Sequence, residues 1–202
     1  LGLTAPMASM MLMHAGIAQA QTAIPYKPTK RGGGGTLKLL WWQGATLLNP
    51  HFASGTKDQI ASRIFYEPLA GWDKEGNLIP CLAAEVPTVE NGGISADGLS
   101  WKVKLRDDVK WHDGTPFTAE DVKFTIDLLV DPNFRSWRKT GHEYVRDLTV
   151  VSPTEITWKM EKPFAPYPSI LASTFITPKH ILGAEVDKNT AAYNNAPVGT
   201  GP

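Results

Sequence analysis

The sequence predicts an α+β fold, in which locally paired antiparallel strands are interspersed with helices. Three observations support this class. Residues 99–105 alternate between apolar and polar side chains, as in a strand with one buried face. Residues 119–130 carry apolar side chains at helical spacing. The apolar runs 148–151 and 156–160 flank the turn residues Ser152-Pro153-Thr154 and predict a hairpin.

The helix predicted at 119–130 has clear signals at both ends. Thr118 is a residue type that caps helix N-termini, and Glu120 and Asp121 place negative charge in the first turn. Asp131-Pro132 ends the helix, because the residue before a proline avoids helical geometry. A further short apolar helix is expected near 168–172.

An earlier strand, loop and helix are predicted between residues 36 and 68. Thr36–Trp42 is largely apolar, which is typical of a strand buried on both faces. After a loop, Thr56 is the expected N-cap, and Gln59 three residues later completes a capping box. This helix is expected to run to about Tyr66, where Glu67-Pro68 stops it.

The first 35 residues are expected to be a targeting segment and a mobile start of the mature chain. Met7–Ala20 is apolar and ends in Ala18-Gln19-Ala20, which fits signal peptidase cleavage, so we interpret residues 1–20 as a signal peptide lacking its charged start. A buried helix is the alternative. The run is shorter than the ~20 residues of a membrane span, and no cysteine near the cleavage site indicates a lipid anchor. Residues 21–35 read as a flexible mature N-terminus.

Composition disfavours several functional classes. Basic and acidic residues number 20 each, so the formal net charge is zero, which argues against nucleic acid or an anionic membrane as the main partner. Cys81 is the single cysteine, and a small partly buried hydrophobe is its simplest role. The 7 tryptophans are scattered, and we expect some of them to line an apolar cleft.

Several ordered motifs resemble one family. Four runs resemble motifs of the extracytoplasmic solute-binding proteins of peptide, nickel and opine ABC importers. They are LRDDVKWHDGTPFTAEDV at 105–122, LNPH at 48–51, YEPL at 66–69 and GTGP at 199–202. The likeness extends over nearly all of residues 35–202.

The resemblance implies part of a bilobed periplasmic-binding-protein fold, of the cluster that has an extra small domain, with only the N-terminal portion present. Residues 36–69 would be the first segment of lobe I, residues 70–196 the small α+β domain, and residues 197–202 the start of the return to lobe I. The chain would cross between domains near Glu67-Pro68 and near Pro197.

The resemblance also implies function. The protein would be a monomeric, non-enzymatic binding component in the periplasm, without cofactor or bound metal, that delivers short peptides to permease subunits in the inner membrane. Within the same class, the ligand is alternatively a nickel chelate, an opine or an oligosaccharide. In family members the segment matching 43–59 contributes to the cleft between lobes.

The loop at 43–59 is the first candidate ligand site. It leaves a predicted strand and enters a helix N-terminus, where free backbone N–H groups suit a carboxylate or a peptide carbonyl. Small polar contacts are expected from Gln43, Ser54, Gly55, Thr56 and Gln59.

The basic stretch after helix 119–130 is the second candidate. In a cleft wall, Trp137 would stack on the ligand and Arg138 would meet its carboxylate. The alternative is a solvated basic surface formed by Arg135, Arg138 and Lys139.

A secreted hydrolase is the rival function from a different class, with His112 and Asp113 as a general-base dyad. Adjacent residues of an extended segment usually face opposite ways, however, and Asp113-Gly114 is typical turn sequence. The histidines are widely spaced and form no metal-binding motif.

Overall fold

A computed structural model describes residue 36 and residues 38–201, so the signal-peptide and mobile-terminus interpretations lie outside the described residues. Residues from Leu40 onward form one compact unit. The helices in chain order are α1 (Thr56–Ser62), α2 (Ala119–Val130), α3 (Tyr167–Leu171) and α4 (Lys179–Leu182), with 3₁₀ turns at His142–Tyr144 and Ala192–Asn194. The strands are β1 (Ala70–Trp72), β2 (Leu78–Pro80), β3 (Ser100–Lys104), β4 (Val145–Ser152) and β5 (Glu155–Met160).

A three-stranded antiparallel sheet of order β3-β5-β4 forms the centre of the unit. In β3, Trp101 and Val103 are buried while Ser100 and Lys104 are exposed, which confirms the predicted alternation. Trp101 lies opposite Trp158 in the register between β3 and β5. The predicted hairpin is confirmed as β4 and β5 and begins three residues earlier than expected, at Val145.

Helix α2 packs on this sheet and has the predicted boundaries, Ala119 and Val130. The Asp121 carboxylate accepts a hydrogen bond from the Thr118 N–H at 3.0 Å, which caps the first turn. Val122 and Ile126 are buried in the core that also contains Trp101. The pattern of one apolar face therefore predicted both the helix and the face that it buries.

Helix α1 differs from its prediction at both ends. Its N-cap is Gly55 rather than Thr56, and the predicted capping box is absent, because the Gln59 side-chain amide donates to the Ser54 carbonyl at 2.9 Å. The helix ends at Ser62 instead of near Tyr66. Hydrogen bonds of the 3₁₀ type, between residues three apart, then close the turn. One runs from the Arg63 N–H to the Ile60 carbonyl at 3.2 Å.

The strand predicted at Thr36–Trp42 is not observed. Residues 38–42 are in no strand, and the side chains of Leu40 and Trp42 are exposed. An apolar segment becomes a strand only when another strand satisfies its backbone groups. Within the described residues no strand pairs with this segment, so the apolar pattern alone gave the wrong result.

Two short elements complete the unit. β1 and β2 pair on either side of a turn in which the Asp73 carboxylate accepts the Glu75 and Asn77 N–H groups at 3.0 and 2.8 Å. The short apolar helix expected near 168–172 is α3. Among the described residues, no helix has both the length and the apolar character required to span a bilayer.

Candidate functional site

The loop between residues 46 and 55 is held in place by buried and partly buried polar groups. The Asp58 carboxylate accepts hydrogen bonds from the Thr46 and Leu47 N–H groups at 2.7 and 3.3 Å. It also pairs with the Lys57 ammonium at 2.9 Å. Burial opposes ionisation of Asp58, but these hydrogen bonds outweigh it and lower the pKa of this carboxyl. Negative charge therefore lies in the first turn of α1.

The middle of the loop is joined to a distant part of the chain. The Asn49 side-chain amide donates to the Asn194 side-chain oxygen at 2.7 Å, and both residues are buried. The Asn194 carbonyl accepts the Leu48 and Asn49 N–H groups at 3.2 and 3.1 Å. Because buried polar groups are costly to leave unpaired, this exchange fixes the loop relative to the 3₁₀ turn at Ala192–Asn194.

The buried His51 side chain fixes the same loop to two distant parts of the chain. Its Nε2 lies 2.9 Å from the Phe175 carbonyl, which only accepts, so Nε2 carries the proton. Its Nδ1 then accepts from the Ser136 hydroxyl at 3.3 Å. Burial lowers the pKa of His51 to about 4, and the nearby Arg138 contributes in the same direction. His51 is therefore neutral at physiological pH.

The two sequence-predicted sites meet at this loop. The Trp137 indole N–H donates to the Ala53 carbonyl at 3.0 Å, and the Arg138 Nε donates to the Pro50 carbonyl at 3.0 Å. A weaker bond of 3.4 Å joins the Arg138 guanidinium to the Ser173 carbonyl. The segment after α2 thus packs against the loop that enters α1, although 84 residues separate Ala53 from Trp137.

Aromatic rings hold the Arg138 side chain. Its guanidinium carbon lies 4.0 Å from the centroid of the Trp137 ring and 4.9 Å from that of the buried Phe175 ring. Burial, and secondly the charge of Arg63, lower the pKa of Arg138 to about 10, so the group is still protonated at neutral pH. A cation held by two rings loses little additional freedom when it binds an anion.

The remaining predicted residues differ in their exposure. Ser54, Gly55 and Thr56 are exposed beside Trp137, whose side chain is 49 % exposed. Gln59 is partly buried and its amide is used by the Ser54 carbonyl. Gln43 is exposed and makes no hydrogen bond to any residue in the described part of the chain.

Sequence reasoning missed the exposed Arg63 and the buried Phe175, over which the Arg138 guanidinium lies. The Arg63 guanidinium carbon lies 5.4 Å from the centroid of the same Phe175 ring. Arg63 follows α1, and Phe175 follows α3 in a proline-rich stretch. The two positions share no local motif, so only the tertiary fold brings them together.

The proposed His112–Asp113 dyad does not form in this structure. The His112 Nδ1 accepts the Gly199 N–H at 3.2 Å, and its Nε2 lies 2.7 Å from the Gly201 carbonyl. The Asp113 carboxylate instead binds His180 Nε2 at 2.7 Å, and this contact lowers the pKa of Asp113 to about 2. Both side chains are therefore used to bind other parts of the fold.

Other reactive groups are poorly placed for chemistry. Burial, with the neighbouring Glu67, raises the pKa of the Cys81 thiol to about 12, so the nucleophilic thiolate is scarce at neutral pH. Within the described residues, no group of three or more His, Cys, Asp or Glu side chains is arranged to hold a metal ion. The surface formed by residues 54–56, Trp137 and Arg138 offers polar, aromatic and cationic contacts to a ligand.

Comparison with known proteins identifies the family to which this chain belongs. The family described as bacterial extracellular solute-binding proteins, family 5 (middle region), matches residues 77–202. The chain belongs to this family.

Individual relatives agree with that assignment. The chain is 34 % identical over 160 residues to the glutathione-binding protein GsiB of Escherichia coli O1:K1, a match that covers 78 % of this chain and 29 % of GsiB. The chain thus spans less than a third of the length of this relative.

Solved structures show the same fold. NikZ from Campylobacter jejuni in complex with Ni(L-His) superposes with a TM-score of 0.69 at 33 % identity, covering 79 % of this chain and 30 % of NikZ. The oligopeptide-binding protein AppA from Bacillus subtilis, in complex with a nonapeptide, gives a TM-score of 0.69 at 28 % identity, covering 78 % and 31 %. Both are bilobed periplasmic binding proteins, and the α+β unit described above is similar to part of one.

Proposed function

We propose that this chain is part of the substrate-binding component of an ABC importer, which binds short peptides outside the cytoplasm and delivers them to the permease. The observation that carries the proposal is the hydrogen bond from the Trp137 indole to the Ala53 carbonyl. It joins the exposed residues Ser54, Gly55 and Thr56 to a half-exposed aromatic ring and a preorganised guanidinium. Aromatic and arginine side chains with small polar neighbours suit a peptide ligand.

The ligand site in this proposal comprises Gln43, Ser54, Gly55, Thr56, Gln59, Trp137 and Arg138. Asp58 places a carboxylate in the first turn of α1, so this end of the loop is better suited to a peptide N–H or a neutral group than to an anion. Trp137 would cover an apolar part of the ligand, and Arg138 would bind a carboxylate or carbonyl.

The proposed domain division has support from the two places where the chain would cross between lobes. The Gly201 N–H donates to the Phe65 carbonyl at 3.1 Å, and the His112 N–H donates to the Gly199 carbonyl at 2.9 Å. The chain at Phe65 therefore lies next to the segment 199–201, which His112 also binds. Adjacent crossings are what a two-segment hinge requires. We accordingly assign 36–69 and 197–202 to lobe I and 70–196 to the small domain.

A binding role without catalysis is part of the proposal. The family consists of solute-binding proteins. In this chain His112 is engaged by the backbone of 199–201 and Asp113 by His180, so neither side chain is available to the other as a base or its orienting partner.

Calorimetry of the full-length gene product tests the ligand class. Titration with di- to pentapeptides should release heat and quench or shift tryptophan fluorescence as the cleft closes. Trp137→Ala should weaken binding about 10-fold or more, since aromatic anchors at interfaces commonly contribute over 1 kcal/mol. Trp72→Ala, at a half-exposed tryptophan of the β1–β2 hairpin, is the matched control.

The alternative ligands give different outcomes in the same experiment. Heat from nickel–histidine alone, or only from opines or oligosaccharides, would move the protein to another branch of the family. Cleavage of a peptide by the purified protein, abolished by His112→Ala, would replace transport with hydrolysis.

Export to the periplasm is also proposed, based on the Ala18-Gln19-Ala20 motif. N-terminal sequencing of protein from the natural host should begin at Gln21. An unprocessed cytoplasmic product would contradict both the cleavage site and the location.

A further inference from the structure

Two guanidinium groups lie over one buried aromatic ring. The guanidinium carbons of Arg63 and Arg138 are 5.4 and 4.9 Å from the Phe175 centroid, and Phe175 is only 1 % exposed. Each cation is attracted to the electron-rich face of the ring, but the two cations repel one another. Arg63 is exposed and Arg138 is partly buried, and the charge of Arg63 contributes to the lowered pKa of Arg138. An anion bound near both groups would offset this repulsion.

No carboxylate neutralises this pair within the described residues. Salt bridges connect Lys57, Arg106, Lys123, Arg146 and Lys179 to acidic partners, whereas neither Arg63 nor Arg138 forms one. The hydrogen bonds of the Arg138 side chain go to the carbonyls of Pro50 and Ser173, which are neutral. Two positive charges near Phe175 are thus without a salt-bridge partner among the described residues.

The surroundings keep the Arg138 charge in place. His51 is neutral because burial, with a smaller contribution from the Arg138 charge, lowers its pKa to about 4. Arg138 is partly withdrawn from water, and its pKa of about 10 leaves it protonated at pH 7. Its position between Trp137 and Phe175 fixes the plane of its guanidinium before any anion arrives. A partly desolvated cation gains more from a counter-ion than one in bulk water does.

We propose that Arg63 and Arg138 together form a carboxylate-binding subsite, and that the ligands of this protein are short peptides with an acidic side chain or a free C-terminus held there. The inference rests on the proposed function and narrows its ligand class. A guanidinium binds a carboxylate through two parallel hydrogen bonds, which an ammonium does not reproduce. Arg63 is the new element, because it adds a second guanidinium. Two guanidinium groups would make the subsite selective for anionic over neutral peptides.

The carboxylate has two possible sources: the ligand, or an acidic side chain of the full-length protein outside the described residues. Binding measurements separate them, because a protein carboxylate would stabilise the fold without changing ligand preference. The full-length gene product should be titrated calorimetrically with Ala-Ala-Glu and with its uncharged counterpart Ala-Ala-Gln-amide. Wild type, Arg63→Gln and Arg135→Gln should be compared. Arg135 is exposed and three positions from Arg138, but it does not lie over Phe175, so its variant matches the charge change.

The expected result is that the wild-type protein prefers Ala-Ala-Glu by about 10- to 100-fold, as for hydrogen bonds between charged groups. Arg63→Gln should lose most of that preference while its affinity for the amide stays within about 3-fold of wild type. Arg63→Lys should restore only part of the preference, because it keeps the charge but not the fork. Arg135→Gln should retain all of it.

Three results would overturn the inference in distinguishable ways. Equal wild-type affinity for both peptides would reject the subsite and leave peptide binding intact. An unchanged preference in Arg63→Gln, with a lower midpoint of thermal unfolding, would show that the pair binds a carboxylate of the protein itself. Binding of neither peptide would reject the subsite together with the proposed peptide-binding function.

Discussion

Trp101 of β3 and Trp158 of β5 stack across the sheet with their ring centroids 5.9 Å apart and their planes 10° from parallel. The two residues are direct register partners, and both are buried. The edge of Tyr167 packs against both rings, at 5.1 and 6.1 Å. This aromatic cluster joins the sheet to α3.

Truncating Trp101 to alanine should destabilise the protein by about 3–5 kcal/mol, the usual cost of removing a large buried aromatic side chain. The mutation removes the stack with Trp158 and leaves the Gly98 carbonyl, which accepts the Trp101 indole N–H at 3.1 Å, without that donor. Urea unfolding measures the change. Trp42→Ala, at a tryptophan that is 69 % exposed, is the control and should change the unfolding free energy by less than about 1 kcal/mol. Equal effects of the two mutations would contradict the packing described here.

Local pattern was sufficient for the central sheet and for α2. The alternation around Trp101 and the spacing of apolar residues in α2 each report burial directly, since a strand repeats every two residues and a helix every 3.6. The same reasoning failed for residues 36–42. Whether an apolar segment becomes a strand depends on a pairing partner, which is not encoded in the segment itself.

Replacing Asp121 with alanine should cost roughly 2–4 kcal/mol, because one buried carboxylate serves three donors. Asp121 accepts the Thr118 N–H at 3.0 Å, the Lys179 N–H at 2.9 Å and the Trp111 indole N–H at 3.3 Å. Asp127→Ala is the matched control on the same helix, where the exposed carboxylate forms an i,i+4 salt bridge with Lys123. The control should lie within about 0.5 kcal/mol of wild type. Chemical denaturation of both variants decides the point.

Stability should decrease as the pH falls below about 6.5, because two histidines are buried in the neutral form. Burial lowers the pKa of His51 to about 4 and that of His142 to about 3. Well above pH 6.5 these histidines are neutral in both the folded and the unfolded chain, so they cause no loss of stability there. Below it the unfolded chain takes up protons that the folded chain excludes, and each histidine contributes a loss of up to about 1.4 kcal/mol per pH unit.

Urea unfolding between pH 7 and pH 5 measures that slope before most carboxylates titrate. His142→Gln removes the buried ring whose nitrogens lie 3.0 Å from the Tyr167 and Thr174 hydroxyls, so the variant should be less stable at pH 7. Its stability should nevertheless fall about half as steeply with decreasing pH. A slope equal to that of the wild type would mean that His142 is protonated in the folded state.

The candidate site was only partly predictable. The loop at 43–59 and the pair Trp137–Arg138 were each recognisable from residue type, but nothing local indicates that Ala53 accepts a hydrogen bond from Trp137. Arg63 had no distinguishing feature in the sequence. Its relevance depends on Phe175, and contacts between such distant positions follow from tertiary packing rather than from periodicity.

Gly199→Ala should destabilise the protein by roughly 2 kcal/mol or more, because a Cβ at this position would lie 1.7 Å from the Phe65 carbonyl oxygen. Backbone atoms cannot yield there without breaking the hydrogen bonds that His112 makes to Gly199 and Gly201. The absence of a side chain thus permits the segment at 199–201 to lie directly against the end of α1.

Gly44→Ala is the control, since a Cβ at Gly44 meets no atom within 4 Å. Thermal and urea unfolding of both variants should show a large loss for the first and almost none for the second. A Gly199→Ala protein as stable as wild type would mean that the segments near residues 65 and 199 are farther apart than described, which would remove the support for two adjacent crossings.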